Sequence, residues 1–289
     1  MDKHYIILGK GYVGTTLATL FKSKNRPFTI LSKKDLRYTD PQSLTTYLRG
    51  LGDSCEITII NCSGFTGMPN VDACEMPANK PQTHDLNALL PMTLGAVGKS
   101  LSHVNLLHIS SGCIYNGYDK VYNEEDLPNF GIYNHESSFY AKTKHLGELA
   151  LKKLNYGSIL RVRMIYGSDN SERNFLNKIQ KYSHLIIREN SMTNVDDLCN
   201  FILNFTEKNL ERRHDVYNVV NEGSLSLRVV AALFNKYKKY RKTWHFVEER
   251  DLVLKANRSN CILDTSKIRA LGMALPEVSL SVDNCIQKM

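Results

Sequence analysis

A tyrosine and a lysine four residues apart are the side chains in this sequence best suited to proton transfer. Tyr140 and Lys144 lie in the stretch SSFYAKTKHLGELA, whose apolar spacing predicts a helix. Residues separated by four positions share one helix face. A phenol has an ordinary pKa of about 10, and a neighbouring ammonium group favours its anionic form. The spacing therefore predicts that Lys144 lowers the pKa of Tyr140, so that the phenol can exchange a proton with a carbonyl or hydroxyl oxygen.

A serine at the end of a predicted strand extends this pair. The apolar stretch VNLLHISSG predicts a strand that ends near Ser111. A hydroxyl at that position can hold a substrate oxygen beside the tyrosine. The pattern Tyr-x-x-x-Lys is common by itself, and on an arbitrary helix both side chains would simply be exposed. A strand-end serine and an upstream glycine motif together favour the catalytic interpretation.

The glycine motif follows the first predicted strand. In HYIILGKGYVG the glycines are Gly9, Gly11 and Gly14. In a strand–turn–helix unit, the first glycine allows a tight turn, the second lets the backbone approach a pyrophosphate, and the third lets the helix pack closely on the strand. The helix N-terminus then offers free N–H groups to the phosphates. The motif is weak evidence alone, but its position between strand and helix favours a dinucleotide site over an ordinary turn.

The end of the second predicted strand indicates which dinucleotide binds. The strand FTIL is followed by Ser32, Lys33 and Lys34. NAD sites usually place a carboxylate near the ribose 2′-hydroxyl, whereas NADP sites use basic residues there. A hydroxyl and two ammonium groups suit a 2′-phosphate, and Asp35 arrives late enough to begin the next turn. The sequence therefore predicts NADPH as the cofactor, with hydride transfer by its nicotinamide accompanying proton transfer by Tyr140.

Strands and helices alternate through the first half of the chain. Continuous apolar strands of this kind are typical of a parallel sheet that is covered on both faces. We therefore predict an α/β fold, with a doubly wound parallel (Rossmann) sheet over residues 1–167 and a small C-terminal substrate-binding lobe over residues 168–289. Part of the lobe segment is expected to return to the Rossmann core. Residues 113–138 are predicted to form a long loop, a kind of segment that is usually functional.

The composition is that of an ordinary globular protein, with 42% hydrophobic and 23% charged residues in a chain of 289. No apolar run approaches the roughly 20 residues that span a bilayer, and the first residues lack the features of a signal peptide. We therefore expect a cytoplasmic protein. The 7 cysteines are scattered without a CxxC pair, which predicts reduced thiols and no metal site.

Much of the formal net charge of +8 lies in the run NKYKKYRKTWH, residues 235–245. Basic residues interleaved with aromatic ones are compatible with a nucleic-acid patch. Charge runs are more often a solvated surface, and positive potential also suits a protein that handles an anionic nucleotide. We therefore predict a solvated helix end and expect neither a nucleic-acid nor a membrane partner.

Together these motifs resemble the extended short-chain dehydrogenase/reductase superfamily over nearly the whole chain. A narrower resemblance is carried by INCSGFTGMPNVDACE (residues 60–75), SSGCIYNG, EEDLPNF, SFYAKTK, LRVRM, RNFLNKI and NRSN. These stretches are similar to the nucleotide-rhamnose synthase/epimerase-reductase family, in particular to its plant and giant-virus members. The resemblance implies conversion of UDP-4-keto-6-deoxy-glucose to UDP-L-rhamnose, by epimerisation at C3 and C5 and then NADPH reduction at C4.

This resemblance gives roles to a cysteine and a second lysine. The C3 and C5 protons are α to the C4 ketone, so inversion needs a base and an acid on opposite faces of the ring. Cys113 would be the base, provided that a nearby positive charge favours its thiolate. Lys178 would return the proton, while Ser111 and Tyr140 steady the enolate oxygen. Without the resemblance, Cys113 would be interpreted as a buried filler and Lys178 as an exposed helix lysine.

Binding residues are also implied. Asn174 and Arg258 would hold the UDP diphosphate, the latter by charge-assisted hydrogen bonds. Thr66 and Met68 would face the substrate, and Asn87 matches the helix asparagine that supports the active site in this superfamily. Further cofactor contacts are expected from the glycine turn and the ends of the strands, namely Tyr12, Val13, Cys62, Ser63, Gly64 and Ser110.

Two departures from the family pattern leave other functions open. Ser111 stands where the family usually has threonine, and Ile165-Tyr166-Gly167 follows RVRM where plant members read RVRMPIS. One alternative is a reductase or epimerase-reductase for a GDP-linked or N-acetylated sugar, since GDP-fucose synthases carry a similar Ser-Ser-Cys-Ile-Tyr stretch. Another is a non-catalytic NADP-binding subunit, such as the regulatory subunit of methionine adenosyltransferase. Superfamily relatives often dimerise through the helices at residues 84–100 and 139–153, so we expect a homodimer.

Overall fold

The computed structural model describes residues 3–52, 54–237 and 242–289. Its first half alternates strands and helices as the sequence predicts. The elements in chain order are β1 (Lys3–Leu8), α1 (Tyr12–Ser23), β2 (Phe28–Leu31), α2 (Pro41–Gly50), β3 (Glu56–Asn61), α3 (Lys80–His84), α4 (Leu90–Lys99) and β4 (Val104–Ser111). The helix predicted from residue 84 begins earlier, at Lys80, and a π turn over Asp85–Leu89 joins α3 to α4.

The second half contains shorter elements. They are α5 (Phe139–Leu154), β5 (Ser158–Val162), β6 (Ile165–Tyr166), α6 (Phe175–Lys181), β7 (His184–Ile186), β8 (Glu189–Asn190), β9 (Thr193–Asn194), α7 (Val195–Glu207), β10 (Val216–Asn218), β11 (Leu225–Ser226), α8 (Leu227–Lys236), β12 (His245–Val247), α9 (Ser266–Ala270) and α10 (Val278–Lys288). Residues 238–241 of the basic run lie outside the described residues.

A six-stranded parallel sheet organises the molecule, with the strand order β10-β5-β4-β3-β1-β2. The chain winds outward from β1 in both directions, so the order reverses between β1 and β3. In such sheets, ligands bind outside the carboxyl ends of the strands at this switch point. Gly9 follows β1 and Cys62 follows β3, so both lie at this edge. The predicted doubly wound parallel sheet is confirmed.

Helices cover both faces of the sheet. On β4, Leu107 packs in one core with Phe21 of α1 and Phe205 of α7, whereas Leu106 packs in the other with Leu151 of α5. Burial on both faces explains why the strands are continuous apolar runs. Helix α7 and β10 belong to this sheet unit although they follow α6 in the chain.

A third apolar core forms the lobe, and a fourth lies under the loop that follows β4. The lobe core joins Leu176 of α6, Phe234 of α8 and Val282 of α10. Under the loop, the rings of Tyr115 and Tyr122 stack with centroids 4.6 Å apart. The long loop predicted for residues 113–138 is therefore packed between the sheet and the lobe, and it fixes the end of β4.

Candidate active site

The glycine turn has no room for larger residues at two of its three glycines. Gly9 has φ +102, a left-handed conformation, and a Cβ added at Gly14 would lie 1.9 Å from the Gly9 carbonyl oxygen. At Gly11 the space is open, and no side chain caps the N-terminus of α1. The first N–H groups of α1 can therefore serve an anionic ligand. This cradle fits a dinucleotide pyrophosphate.

The residues after β2 form a charged turn. Both the backbone N–H and the hydroxyl of Ser32 donate to Asp35 Oδ2 at 2.7 Å, and Lys10 Nζ lies 2.9 Å from the same oxygen. Hydrogen bonds from Lys10 and Ser32 hold the pKa of Asp35 below its usual range. Asp35 thus organises the turn, and Lys10 joins the exposed Lys33 and Lys34 beside Ser32. Sequence reasoning missed Lys10, although it lies inside the glycine motif.

Asn87 connects the loop after β3 to the catalytic helix. Its amide accepts from Phe65 N at 2.8 Å, donates to Phe65 O at 2.9 Å, and donates to Thr143 Oγ1 at 3.3 Å. The residue is fully buried in the π turn, and π turns often occur at functional sites. A Cβ at Gly64 would lie 3.2 Å from Asn87 Oδ1 and 3.9 Å from Lys144 Nζ. The loop after β3 and the ammonium group of Lys144 are therefore close together.

Lys144 and Tyr140 share a buried face of α5, and their electrostatics differ from the sequence prediction. Lys144 Nζ donates to Ile109 O at 2.9 Å, and burial lowers the pKa of Lys144 to about 8. Burial raises the pKa of Tyr140, because it outweighs a hydrogen bond from Ser111 and the charge of Arg163. The predicted lowering of the Tyr140 pKa by Lys144 is wrong for this structure, since the phenol is too deeply buried.

Cys113 lies beside the Ser111–Tyr140 pair. Ser111 Oγ accepts from Cys113 N at 3.1 Å, which starts a 3₁₀ turn over Gly112–Ile114. Cys113 is half-buried, and it is close enough to Tyr140 to act on the pKa of that phenol. The turn therefore brings a thiol next to the hydroxyl and the phenol.

Arg163 lies against this turn. Its Nη1 lies 3.9 Å from Cys113 Sγ and donates to Gly112 O at 3.1 Å. Sequence analysis included the residue in LRVRM but gave it no role. The available signal was a charged residue directly after an apolar strand.

Lys178 lies on α6, on the lobe side of the site. Burial and the charge of Arg173 lower the pKa of Lys178, and its ammonium group has no hydrogen-bond partner in the part of the chain that the structure describes. Arg173 Nη1 donates to Thr66 Oγ1 at 2.8 Å and to Gly67 O at 2.5 Å. Sequence reasoning assigned nothing to Arg173, which joins α6 to the loop predicted to face the substrate. Met68 is exposed on the same loop.

The side-chain amide of Asn174 shapes the turn before α6. It is fully buried, and its Oδ1 accepts from Leu176 N at 3.0 Å and from Gly167 N at 3.2 Å. Its Nδ2 donates to Gly167 O at 2.8 Å and to Asp169 O at 2.9 Å. An amide with these bonds has no free donor for a ligand. In this structure Asn174 shapes the turn, and its diphosphate contact stays a prediction.

Arg258 forms a bidentate pair with Asp72 of the PNVDACE stretch. The N–O distances are 2.7 Å for Nη1 and 2.9 Å for Nη2. Burial by itself would raise the pKa of Asp72, but Arg258 outweighs it and lowers that pKa. The pair joins the lobe to the loop after β3. The diphosphate contact of Arg258 stays a prediction.

Other predicted cofactor residues already have internal partners. The hydroxyl of Ser63 is 3.0 Å from Tyr38 OH, and Ser110 Oγ donates to Glu148 at 2.5 Å. Tyr12 OH donates to Asp169 Oδ2 at 2.5 Å, which links the glycine turn to the lobe. Cys62 packs 3.5 Å from the Cβ position of Gly14, and burial raises the pKa of its thiol to about 12. Val13, next in the motif, packs against the α1–α7 core.

The described residues contain neither a cluster suited to a metal ion nor a helix suited to a membrane. No group of three or more His, Cys, Asp or Glu side chains among residues 3–52, 54–237 and 242–289 is arranged to hold a metal ion. None of the helices in those ranges is both long and apolar enough to cross a membrane.

Comparison with known proteins decides the family. The family described as RmlD substrate binding domain matches residues 3–289. The chain belongs to this family. An Arabidopsis thaliana relative of this RmlD-family chain, named bifunctional dTDP-4-dehydrorhamnose 3,5-epimerase/dTDP-4-dehydrorhamnose reductase, is 32% identical over 278 residues, which cover 92% of this chain and 86% of the relative. The predicted reductase superfamily, and with it the oxidoreductase class, is confirmed at the level of the family.

Solved structures share the fold of the RmlD-family chain. The L780 UDP-rhamnose synthase from Acanthamoeba polyphaga mimivirus superimposes with a TM-score of 0.87 at 23% identity, over 99% of both chains. A dTDP-4-dehydrorhamnose reductase from Bacillus anthracis, solved in complex with NADP, superimposes with a TM-score of 0.82 at 21% identity, over 100% of both chains. At these identities the similarity establishes the common fold.

Proposed function

We propose that this chain is a bifunctional 3,5-epimerase/4-keto-reductase that converts UDP-4-keto-6-deoxy-D-glucose to UDP-L-rhamnose with NADPH. The observation that carries the proposal is the thiol of Cys113 beside the Ser111–Tyr140 pair. A reductase needs only the hydroxyl and the phenol. An additional acid–base group at the same place suits a substrate whose ring protons must be exchanged before reduction.

The reductive half of the reaction uses α5 and the end of β4. Bound NADPH would supply the hydride that reduces C4. The residues that hold it in this proposal are the glycine turn, the Ser32 turn and Lys144. Ser111 hydrogen-bonds the C4 oxygen, and Tyr140 donates the proton that this oxygen needs once the carbonyl is reduced.

The epimerising half uses Cys113 and Lys178. The thiolate of Cys113 removes the proton from C3 or C5, and the electron pair moves to the C4 oxygen as an enolate held by Ser111 and Tyr140. Lys178 returns a proton to the carbon from the opposite face. Its lowered pKa, caused by burial and Arg173, makes that donation easier near neutral pH.

The cofactor assignment is supported by charge around Ser32. Lys10, Lys33 and Lys34 surround a hydroxyl at the end of β2, as a 2′-phosphate requires. The Bacillus anthracis reductase of the same fold carries NADP. The nucleotide base is less constrained, because the Arabidopsis relative is named for a dTDP sugar and the mimivirus structure for a UDP sugar. A GDP-linked or N-acetylated keto sugar is the alternative substrate. For either substrate we expect a cytoplasmic homodimer.

The test separates the two half-reactions. Tyr140→Phe should lower NADPH oxidation by about 10²- to 10⁴-fold while solvent deuterium still enters C3 and C5. Cys113→Ala should lose deuterium exchange on the unepimerised sugar but still reduce the epimerised 4-keto sugar. Cys55→Ala, at a thiol remote from the site, is the matched control. Product NMR with UDP, dTDP and GDP 4-keto sugars identifies the substrate.

Two results would overturn this assignment. If both variants lose and keep the same activities, the division of roles is wrong. If the protein binds NADPH tightly but turns over no keto sugar, the non-catalytic NADP-binding subunit is favoured instead.

A further inference from the structure

Arg163 is a fully buried guanidinium without a carboxylate partner. The structure records no Asp or Glu oxygen within ion-pair distance of it across the described ranges. Its acceptors are neutral oxygens, namely Gly112 O at 3.1 Å, Ser259 Oγ at 2.8 Å, Ser259 O at 3.0 Å and Asn190 Oδ1 at 2.5 Å. The buried Nε has no hydrogen-bond partner in the described chain.

A buried charge of this kind is stabilised by an anion nearby. Removing an ion from water costs several kcal/mol even after relaxation, and neutral oxygens offset only part of that cost. The remaining polar neighbour of Nη1 is Cys113 Sγ, at 3.9 Å. A sulfur with a negative charge at that distance accepts a charge-assisted hydrogen bond from the guanidinium.

We propose that Arg163 is a positioning residue that holds Cys113 as a thiolate and directs its sulfur at the substrate. The use made of this thiolate, proton abstraction at C3 and C5, rests on the proposed function. The Arg163–Cys113 pairing itself does not. This arrangement supplies the positive charge that a cysteine base requires.

The groups around Cys113 are compatible with this pairing. Tyr140 and Lys144 face it from α5, Arg163 from the end of β5 and Cys261 from the segment before α9. Burial raises the pKa of Cys261, whose thiol lies 3.6 Å from Gly112 O and acts as a donor. Cys261 is buried and donates to a backbone oxygen, whereas Cys113 is half-buried beside Ser111 and Tyr140, so Cys113 is the sulfur that can meet a substrate.

The position of the guanidinium depends on the lobe. Ser259 contributes two of its acceptors and belongs to the NRSN stretch of the lobe segment. Ser259 Oγ in turn donates to Tyr115 O, in the loop that follows Cys113. The same serine therefore fixes Arg163 and the turn that carries the thiol.

Alkylation of the holoprotein by iodoacetamide tests the pairing without a sugar substrate. The rate at Cys113 is followed by mass spectrometry, with Cys55 in the same molecule as the internal reference. Arg163→Met should lower the Cys113 rate at neutral pH by about tenfold or more and move its pH dependence upward, since only the thiolate reacts. Arg163→Lys keeps the charge and should retain most of the rate.

A purely structural role for Arg163 predicts a different result. Loosened packing would make Cys113 more accessible, so its alkylation would rise, and lysine would be as harmful as methionine. Either result overturns the proposal, as does a wild-type rate in Arg163→Met. If Arg163→Met does not fold, Ser259→Ala should still lower the Cys113 rate relative to Cys55, and an unchanged ratio there also overturns it.

A second measurement distinguishes this proposal from the proposed function. Deuterium exchange at C3 and C5 should fall in Arg163→Met and recover in Arg163→Lys. If alkylation follows the expected pattern but the wild-type protein exchanges deuterium into no keto sugar, then the pairing stands and the proposed function fails.

Discussion

Two arginines at the end of β5 differ in what neutralises them. Arg161 and Arg163 are both fully buried. Arg161 makes a bidentate contact with Glu148, from Nε to Oε1 at 3.2 Å and from Nη2 to Oε2 at 2.8 Å, and Ser110 also donates to this carboxylate. Arg163 has neutral oxygens and the sulfurs of Cys113 and Cys261 as neighbours, and no carboxylate among the described residues. Glu148 neutralises the charge of Arg161 inside the fold, whereas the charge of Arg163 faces the candidate site.

The two arginines therefore serve different purposes. Arg161, on β5, stabilises the fold, whereas Arg163, directly after β5, faces the candidate site. Tyr140, Lys144 and Glu148 follow each other at intervals of four along α5, so they share a helix face. Burial alone would raise the pKa of Glu148, but Arg161 lowers it and keeps the carboxylate charged. This ion pair fixes α5 against the sheet and so positions the catalytic face. The charge of Arg163 acts instead on Cys113 and Tyr140.

The largest effect should come from removing the counter-ion of Arg161. Glu148→Gln leaves a buried guanidinium uncompensated, and we expect a loss of about 3–5 kcal/mol in the free energy of unfolding. Urea titration measures it. The double variant Arg161→Met/Glu148→Leu is the control and should recover most of the loss. A cost below about 1 kcal/mol would show that an unpaired buried arginine is tolerated here, which would weaken the argument made for Arg163.

The glycine turn also contains one tightly packed position, Gly14, and one open position, Gly11. Gly14→Ala places a methyl group against the Gly9 carbonyl, and we expect it to cost about 3 kcal/mol and to abolish NADPH binding. Gly11→Ala enters open space and should change stability by less than about 0.5 kcal/mol. Urea titration and fluorescence titration with NADPH check both. Equal costs for the two variants would contradict the geometry of the turn.

The buried ammonium group of Lys144 should make the stability of the protein depend on pH. Burial lowers its pKa to about 8 from an ordinary 10.5, so the unfolded chain binds more protons between these values and stability should rise with pH. We expect the free energy of unfolding to gain about 2 kcal/mol between about pH 8 and pH 10 relative to Lys144→Met. Lys153→Met, at an exposed lysine of the same helix, should track the wild type. If the difference in free energy of unfolding between the wild type and Lys144→Met does not change with pH, then Lys144 keeps its proton over this range.

Asp72→Asn should have a much smaller effect than Glu148→Gln. Asp72 and Arg258 form a bidentate pair but are partly exposed, with 26% and 19% of their side-chain surfaces accessible. We therefore expect a loss below about 1 kcal/mol, measured by urea titration against Asp85→Asn as the exposed control. A loss as large as that of Glu148→Gln would show that burial does not distinguish the two pairs.

The main elements of the fold could be predicted from the sequence because their signals are local. Apolar runs located β1, β3, β4 and β5, and the glycine spacing located the turn before α1. The start of the helix at Lys80 was missed. Three short 3₁₀, α and π segments follow each other there without an apolar period of their own, so periodicity gave no signal.

Residues of the candidate site could be predicted where they belong to a recognisable sequence motif. Ser111, Tyr140 and Lys144 followed from their spacing, and the structure brings them together. The partners of Arg163, Arg173 and Asn174 depend on contacts between distant segments, which spacing cannot show. The raised pKa of Tyr140 was missed for a related reason, since burial depth is a property of the packed molecule.

Both bridging arginines of the lobe hold the loop after β3 before any ligand arrives. Arg173 binds Thr66 and Gly67, and Arg258 binds Asp72. An anion that competes for the same guanidinium N–H groups would have to replace these internal oxygens, so its measured affinity would be a difference between two sets of bonds.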